Sequence, residues 1–289
     1  MTRRTLVSFA VLAACAETES PPTTTAPASV MFVADRTADR IVSFDGATGE
    51  WLADVASVDR PSSVRLGADR MLYVAGFGGS EILRVDPHAN TVVGSFYKDT
   101  EVLEEPVELI FDGPELVVLG HDTHNAIVID PSGAMVHDVG YPDMRGAHDF
   151  TFGRGGLLYV ATEYDVVLGT ALQAWDVTSG AMVHHFGTLD QIANATGIVA
   201  IDDDLFVTDY ERGTLQRWDA NDQPHVLATG LVHPISIELG PDGRFYVIDE
   251  RGIHRMARDG SYEALAVPIG EHLVGPRSAT FVLVDELAP

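Results

Sequence analysis

The chain is short of thiols, of lysine and of long apolar runs, and each shortage excludes something. A single cysteine, Cys15, among 289 residues rules out a disulfide framework and any zinc or iron–sulfur centre that needs several thiolates. Basic residues are scarce. The 18 Lys and Arg stand against 43 Asp and Glu, for a net charge of −25, which repels a phosphate backbone and excludes nucleic acid as a partner. Lysine is nearly absent: Lys98 stands alone beside 17 arginines. No stretch reaches the roughly 18 apolar residues that a spanning helix needs, and beyond the amino terminus no helical period of useful length exists. What remains, 46% hydrophobic and 21% charged, is the composition of a folded globular protein.

The amino terminus reads as an address. Arg3 and Arg4 precede the ten mostly apolar residues Thr5 to Ala14, the layout of an export signal that is too short to cross about 30 Å of hydrocarbon. It ends in Leu12-Ala13-Ala14-Cys15, which resembles the lipobox of bacterial lipoproteins. That resemblance implies cleavage before Cys15, diacylation of its thiol and a membrane partner held through the acyl chains. Ala16 in place of Asp implies, by the sorting pattern of such lipoproteins, the outer membrane of the cell envelope. Residues 16–29 are rich in Pro, Thr, Ala and Glu without apolar period, a flexible tether. The expected organisation is therefore a signal peptide at 1–14, a lipidated cysteine and tether at 15–29, and a globular part at 30–289. Cleavage removes Arg3 and Arg4 and takes the net charge from −25 to −27.

The globular part repeats. Short β-branched and aromatic runs alternate with Gly, Asp, Pro and Asn turns, an all-β pattern. Aligned on Val33, Val74, Val118, Val160, Val207 and Val247, the runs recur every 40 to 47 residues. Each is followed by a strand closing on an apolar residue and Asp before a turn (Phe44-Asp45, Val85-Asp86, Ile129-Asp130, Trp175-Asp176, Trp218-Asp219), where the Asp side chain can bond amides two residues on. A third strand returns, and another precedes each run, starting at Pro61, Pro106, Ala147, Thr196 and Pro234. Four antiparallel strands per period predict a six-bladed β-propeller of four-stranded blades. The first period lacks its preceding strand, and the last such strand, from Gly275-Pro276, has no blade after it. The C-terminal strand is therefore expected to pair into the N-terminal blade, closing the ring and removing exposed edges. A closed ring with no spare edge is expected to be a monomer.

Val33-Ala34-Asp35 through Arg40-Ile41-Val42-Ser43-Phe44, together with Val207-Thr208-Asp209 and Tyr246-Val247-Ile248-Asp249, resembles the NHL repeat, with Ala38 where that family prefers Asn and Gly120 where it prefers Asp. Blades 5 and 6 are similar to gluconolactonase-like and strictosidine-synthase-like propellers. Resemblance to the lactonases implies an axial divalent cation, but its ligand positions depart here: Thr196 immediately precedes Gly197-Ile198, with Asn194 displaced by two residues, and Pro234-Ile235-Ser236 carries no Asp. NHL-like propellers include binding modules, hydrolases and lyases, so the resemblance implies fold more than activity. No Gly-x-Ser-x-Gly elbow occurs, against a serine hydrolase.

In a propeller, the loops entering the inner strands and leaving the second strands share one face around the channel. That geometry selects Arg60, Glu105, Glu108, His148, Asp149, Asn194, His233 and Arg277 near the axis, ringed by His121, Asp122, His124, Glu163, Tyr164, Tyr210, Glu211, Arg212, Glu250 and Arg251. Arg60, Glu108, His148, Asp149, Asn194, His233 and Arg277 are the ligand-binding candidates. His121, His148 and His233 are the candidate holders of a divalent cation, with imidazole also able to act as a base. Arg60, Arg212, Arg251 and Arg277 are candidates for a ring that reads an anion. Asp35, Asp209 and Asp249 are expected to bond neighbouring backbone. Two functions are open on this reading. One is a lipoprotein scaffold that binds a protein, peptide or glycan, and the other is a metal-dependent hydrolase or lyase.

Overall fold

In the computed structural model, which describes residues 28–287, the β-branched runs fold as strands and the Gly/Asp segments between them as tight turns. The strands form six separate four-stranded antiparallel sheets, the blades of a propeller. The innermost strands of blades 2 to 6 are Pro61–Leu66, Pro106–Asp112, Ala147–Phe152, Ala195–Ile201 and Ser236–Leu239. The second strands are Leu72–Gly76, Glu115–Gly120, Leu158–Asp165, Asp204–Asp209 and Phe245–Asp249. Blade 1 takes Ser29–Asp35, Arg40–Asp45 and Trp51–Ser57 from the N-terminal end, and Pro276–Leu283 from the other end of the chain as its innermost strand.

That last pairing closes the ring. Ser29–Asp35 runs antiparallel to Pro276–Leu283, with Val33 opposite Ala279 and Ser29 opposite Leu283. The core confirms the closure independently. Apolar side chains form six clusters, one between each neighbouring pair of blades. The cluster between blades 6 and 1 packs Tyr246, Ile248 and Ile253 against Met31, Val33 and Ala279. An open row of blades would lack that interface. The six aligned valines are all wholly buried, which is why the repeat keeps them. Each large side chain buried this way stabilises the fold by about 1.5–3 kcal/mol.

The turns behave as the Asp pattern predicts. Asp45 accepts from the amides of Ala47 and Thr48, Asp86 from His88 and Ala89, Asp130 from Ser132 and Ala134, Asp176 from Thr178 and Ser179, and Asp219 from Asn221 and Gln223. These amide bonds favour the carboxylate and hold its pKa below the usual value. Among the described residues no helix is long and apolar enough to cross a membrane. Cys15, the signal peptide and most of the tether lie outside the described residues.

Candidate functional site

Around the channel, polar side chains on the inner strands bond from blade to blade. Ser62 donates to Pro106 O at 2.5 Å and Thr196 to Pro234 O at 2.6 Å. Asp149 accepts from the Ile198 amide at 2.9 Å, joining blades 4 and 5. The centre of this network is Arg65, on the inner strand of blade 2. Its guanidinium lies 3.0 Å from Glu108 of blade 3 and 2.5 Å from Glu238 of blade 6, and donates to Ser278 Oγ of blade 1 at 3.2 Å. One cation thus stands among three carboxylates, the buried Glu108 and Asp149 and the half-buried Glu238. Burial pushes all three pKa values up, Glu238 to about 7, against the pull of Arg65.

Above this layer, on the face where the inner strands begin, a cavity of about 390 Å³ opens, within the range of roughly 300–1,000 Å³ usual for small-molecule sites. Its wall includes Glu108, His148, Asp149, Asn194 and Arg277, so the structure brings five of the seven sequence-selected candidates into one cavity. Arg60 and His233 stand outside this wall. Arg60 lies behind it, its guanidinium 5.1 Å from the Phe77 ring centre. His233 stacks on Tyr210 at 4.5 Å and pairs with Glu250 at 2.8 Å.

Two polar atoms of the wall, His148 Nε2 and Asn194 Oδ1, are buried without a hydrogen-bond partner. Buried polar groups are usually satisfied, so both keep unused hydrogen-bonding capacity. Glu163 Oε1 lies 3.7 Å from His148 Nε2, too far for a hydrogen bond. Burial, with the nearby His121 and the Arg277 charge, lowers the His148 pKa to about 4. The imidazole is therefore neutral at pH 7 and free to accept or donate a proton.

The three candidate metal histidines are placed differently from one another. His121 and His148 rings lie 6.1 Å apart, while His233 is taken by Tyr210 and Glu250. Among the described residues, the ligand atoms that gather within 4.8 Å of one another are those of Glu105, His121 and Asp122, with His121 Nδ1 2.7 Å from Asp122 and 3.9 Å from Glu105.

The arginines divide into two kinds. Arg212 and Arg251, expected in an anion-reading ring, bond instead to the aspartates ending their own strands, Asp209 at 3.2 Å and Asp249 at 2.8 Å, and to the backbone carbonyls of Leu189 and Gly230. Arg277 and Arg36 make no side-chain hydrogen bond or ion pair among the described residues. Both line the cavity. Arg36 was not among the sequence candidates, although it follows Asp35 just as Tyr210 follows Asp209 and Glu250 follows Asp249. Arg65 and Glu238 were missed as well. Strand alternation from Ser63 and Ser236 puts them on the channel side of their inner strands.

No family model and no curated protein sequence matches the chain. Among solved structures the chain is similar to one described as "Streptogramin B lyase structure". The TM-score is 0.58 and the identity 12%, over 83% of this chain and 74% of that one. At that identity the likeness shows the fold: a six-bladed propeller, in keeping with the NHL-like pattern of the repeats.

Proposed function

We propose that the protein is an exported lipoprotein, anchored to the cell envelope through Cys15, whose propeller binds a ligand in the cavity at the channel mouth. The observation that carries the binding reading is the pair of buried, unpartnered atoms, His148 Nε2 and Asn194 Oδ1, in one polar wall. The anchor rests on the Leu12–Cys15 pattern and the tether that follows. Binding is tested by surveying peptides and glycans for a rise in melting temperature. Asn194→Ala removes the open acceptor and is expected to abolish any such rise; a rise that survives both Asn194→Ala and His148→Ala refutes the cavity as the site. The anchor is tested by acyl labelling of wild type and Cys15→Ser in a bacterial host, where equal labelling refutes it.

One observation favours an enzymatic reading beside this one. His148 and Glu163, 3.7 Å apart on the cavity wall, set an imidazole beside a carboxylate, a pair that could hold and move a proton of a bound substrate. Glu105, His121 and Asp122 could hold a divalent cation nearby. Metal analysis of the purified protein separates the versions: no stoichiometric metal, and a melting temperature unmoved by chelator, refutes the metal-dependent one.

A further inference from the structure

The charges on the cavity wall are sorted by side. Arg36 and Arg277 belong to blade 1, and Glu163 and Glu211 follow in blades 4 and 5. In a six-membered ring blades 1 and 4 stand opposite each other, so a cationic wall faces an anionic one.

Neither wall pairs its charges with an oppositely charged side chain at hydrogen-bond distance among the described residues. Arg36 lies flat over Phe77, 3.6 Å from the ring centre, an aromatic contact that holds the guanidinium in place without cancelling its charge. Arg277 has no polar partner among the described residues. Burial, and the neighbouring charges of Arg277 and Arg60, lower the Arg36 pKa to about 10 against the opposing pull of Glu105, so the guanidiniums outweigh the carboxylate beside them. On the far side Glu211 makes no ion pair among the described residues, and the group nearest Glu163 is the neutral His148. The carboxylates of the floor are otherwise engaged, Glu108 by Arg65 and Ser63, and Asp149 by the Phe150 and Ile198 amides. In a chain with net charge −25, two arginines without a hydrogen-bond or ion-pair partner on one cavity wall leave their charge available to an anionic ligand group.

Resting on the reading of this cavity as a ligand site, we propose that it takes a zwitterion, a free amino acid or short peptide. The carboxylate sits between Arg36 and Arg277 and the ammonium against Glu163 and Glu211. Two guanidiniums match a carboxylate in geometry as well as charge. A simple anion would leave the acidic wall unmatched, and a simple cation the basic one.

The test uses mixed-sequence tripeptides in four forms: free, N-acetylated, C-amidated and blocked at both ends. Retention by the full chain is read by ultrafiltration and mass spectrometry. The free form is expected to be retained best, and each cap to weaken retention about tenfold or more, the loss of one charge-assisted contact. Arg277→Gln is expected to stop discriminating against the C-amide while still rejecting the N-acetyl form, and Glu211→Gln to do the reverse. Both side chains lack polar partners in the fold, and unchanged melting temperatures confirm that the variants fold. Equal retention of the four forms overturns the zwitterion, and so does equal discrimination by wild type and both variants. Uncharged glycans run on the same filter separate the two levels. Glycan retention lost in Asn194→Ala leaves the cavity a ligand site and refutes the zwitterion alone; no retention of any probe refutes both.

Discussion

Blades 1, 5 and 6 end their second strand in aspartate; blades 2, 3 and 4 place Gly76, Gly120 and Thr162 at the same position. The three aspartates are almost wholly buried and fasten the loop entering the neighbouring inner strand. Asp35 accepts from the Val274 and Gly275 amides, Asp209 from Ala193 and Asn194, and Asp249 from Val232. Main-chain bonds of one kind hold the entering loops on both arcs, as in Arg36 N to Gly275 O, Tyr210 N to Asn194 O, His121 N to Glu105 O and Glu163 N to Gly146 O; what blades 2, 3 and 4 lack is the strand-end aspartate. There is no room for an aspartate at Gly120, where an added Cβ would lie 2.2 Å from Thr123 Oγ1. The arc without latches carries His121, His148 and Glu163. The lesson is that the strand-end aspartates of the repeat serve the fold, and these histidines and Glu163 stand where the repeat departs from them.

The largest effect should come from breaking the ring where its best latch sits. Deleting residues 276–289 removes the innermost strand of blade 1, takes Ala279 and Phe281 out of the blade 6–1 core, and leaves Ser29–Asp35 as an exposed edge. The truncated chain is expected to be unfolded or aggregated by circular dichroism and gel filtration. A folded monomer would mean that closure contributes little.

Next is Arg65, which ties the arcs together through Glu108 on one and Glu238 on the other. Arg65→Met leaves Glu108, Asp149 and Glu238 without their cation, and loss of one partner of a buried ion pair costs about 3–5 kcal/mol. Urea unfolding reads this directly. A loss under 1 kcal/mol would show that water or a mobile ion compensates the carboxylates.

These two sites differ in how far the sequence discloses them. Closure follows from counting, because blade 1 lacks a strand and the chain end supplies one. The cavity is half legible: strand ends and loop entries locate His148, Asn194 and Arg277, since topology alone sets which loops share a face. Arg212 and Arg251 mislead because a one-dimensional pattern does not show that each folds back on the aspartate two or three residues earlier. Arg65 escapes because an arginine inside a strand reads as solvent-facing until the ring wraps around it, and only the partners Glu108 and Glu238, 43 and 173 residues away, give it a reason to be there.

The latches themselves give the sharpest contrast between arcs. Asp209→Ala strands the buried amides of Ala193 and Asn194 and should cost about 2–3 kcal/mol, the desolvation cost of unpaired donors. At the equivalent position of blade 4, Thr162 is wholly buried with its hydroxyl unpartnered, so Thr162→Val should be neutral or raise the melting temperature. Equal losses at the two positions would erase the distinction between the arcs.

The smallest effect is in pH, and its sign differs between the two kinds of buried acid. Against its burial, Asp249 is kept below the usual carboxylate value by bonds from Arg251, the Val232 amide and His254. Its contribution is present above the unfolded pKa and is lost as pH falls through the folded one. Glu238 is the opposite case, with burial raising it from 4.5 to about 7 despite Arg65. The folded state then holds a proton that the unfolded chain releases. The stability tied to that proton is complete below pH 4.5 and is lost as pH rises through about 7. Wild type should therefore lose melting temperature between pH 5 and 8, and Glu238→Gln, which cannot ionise, should lose less of it over that interval. Parallel pH profiles would show that Glu238 stays charged in the channel, fully matched by Arg65, and that the acid cluster is an ordinary ion pair across the ring.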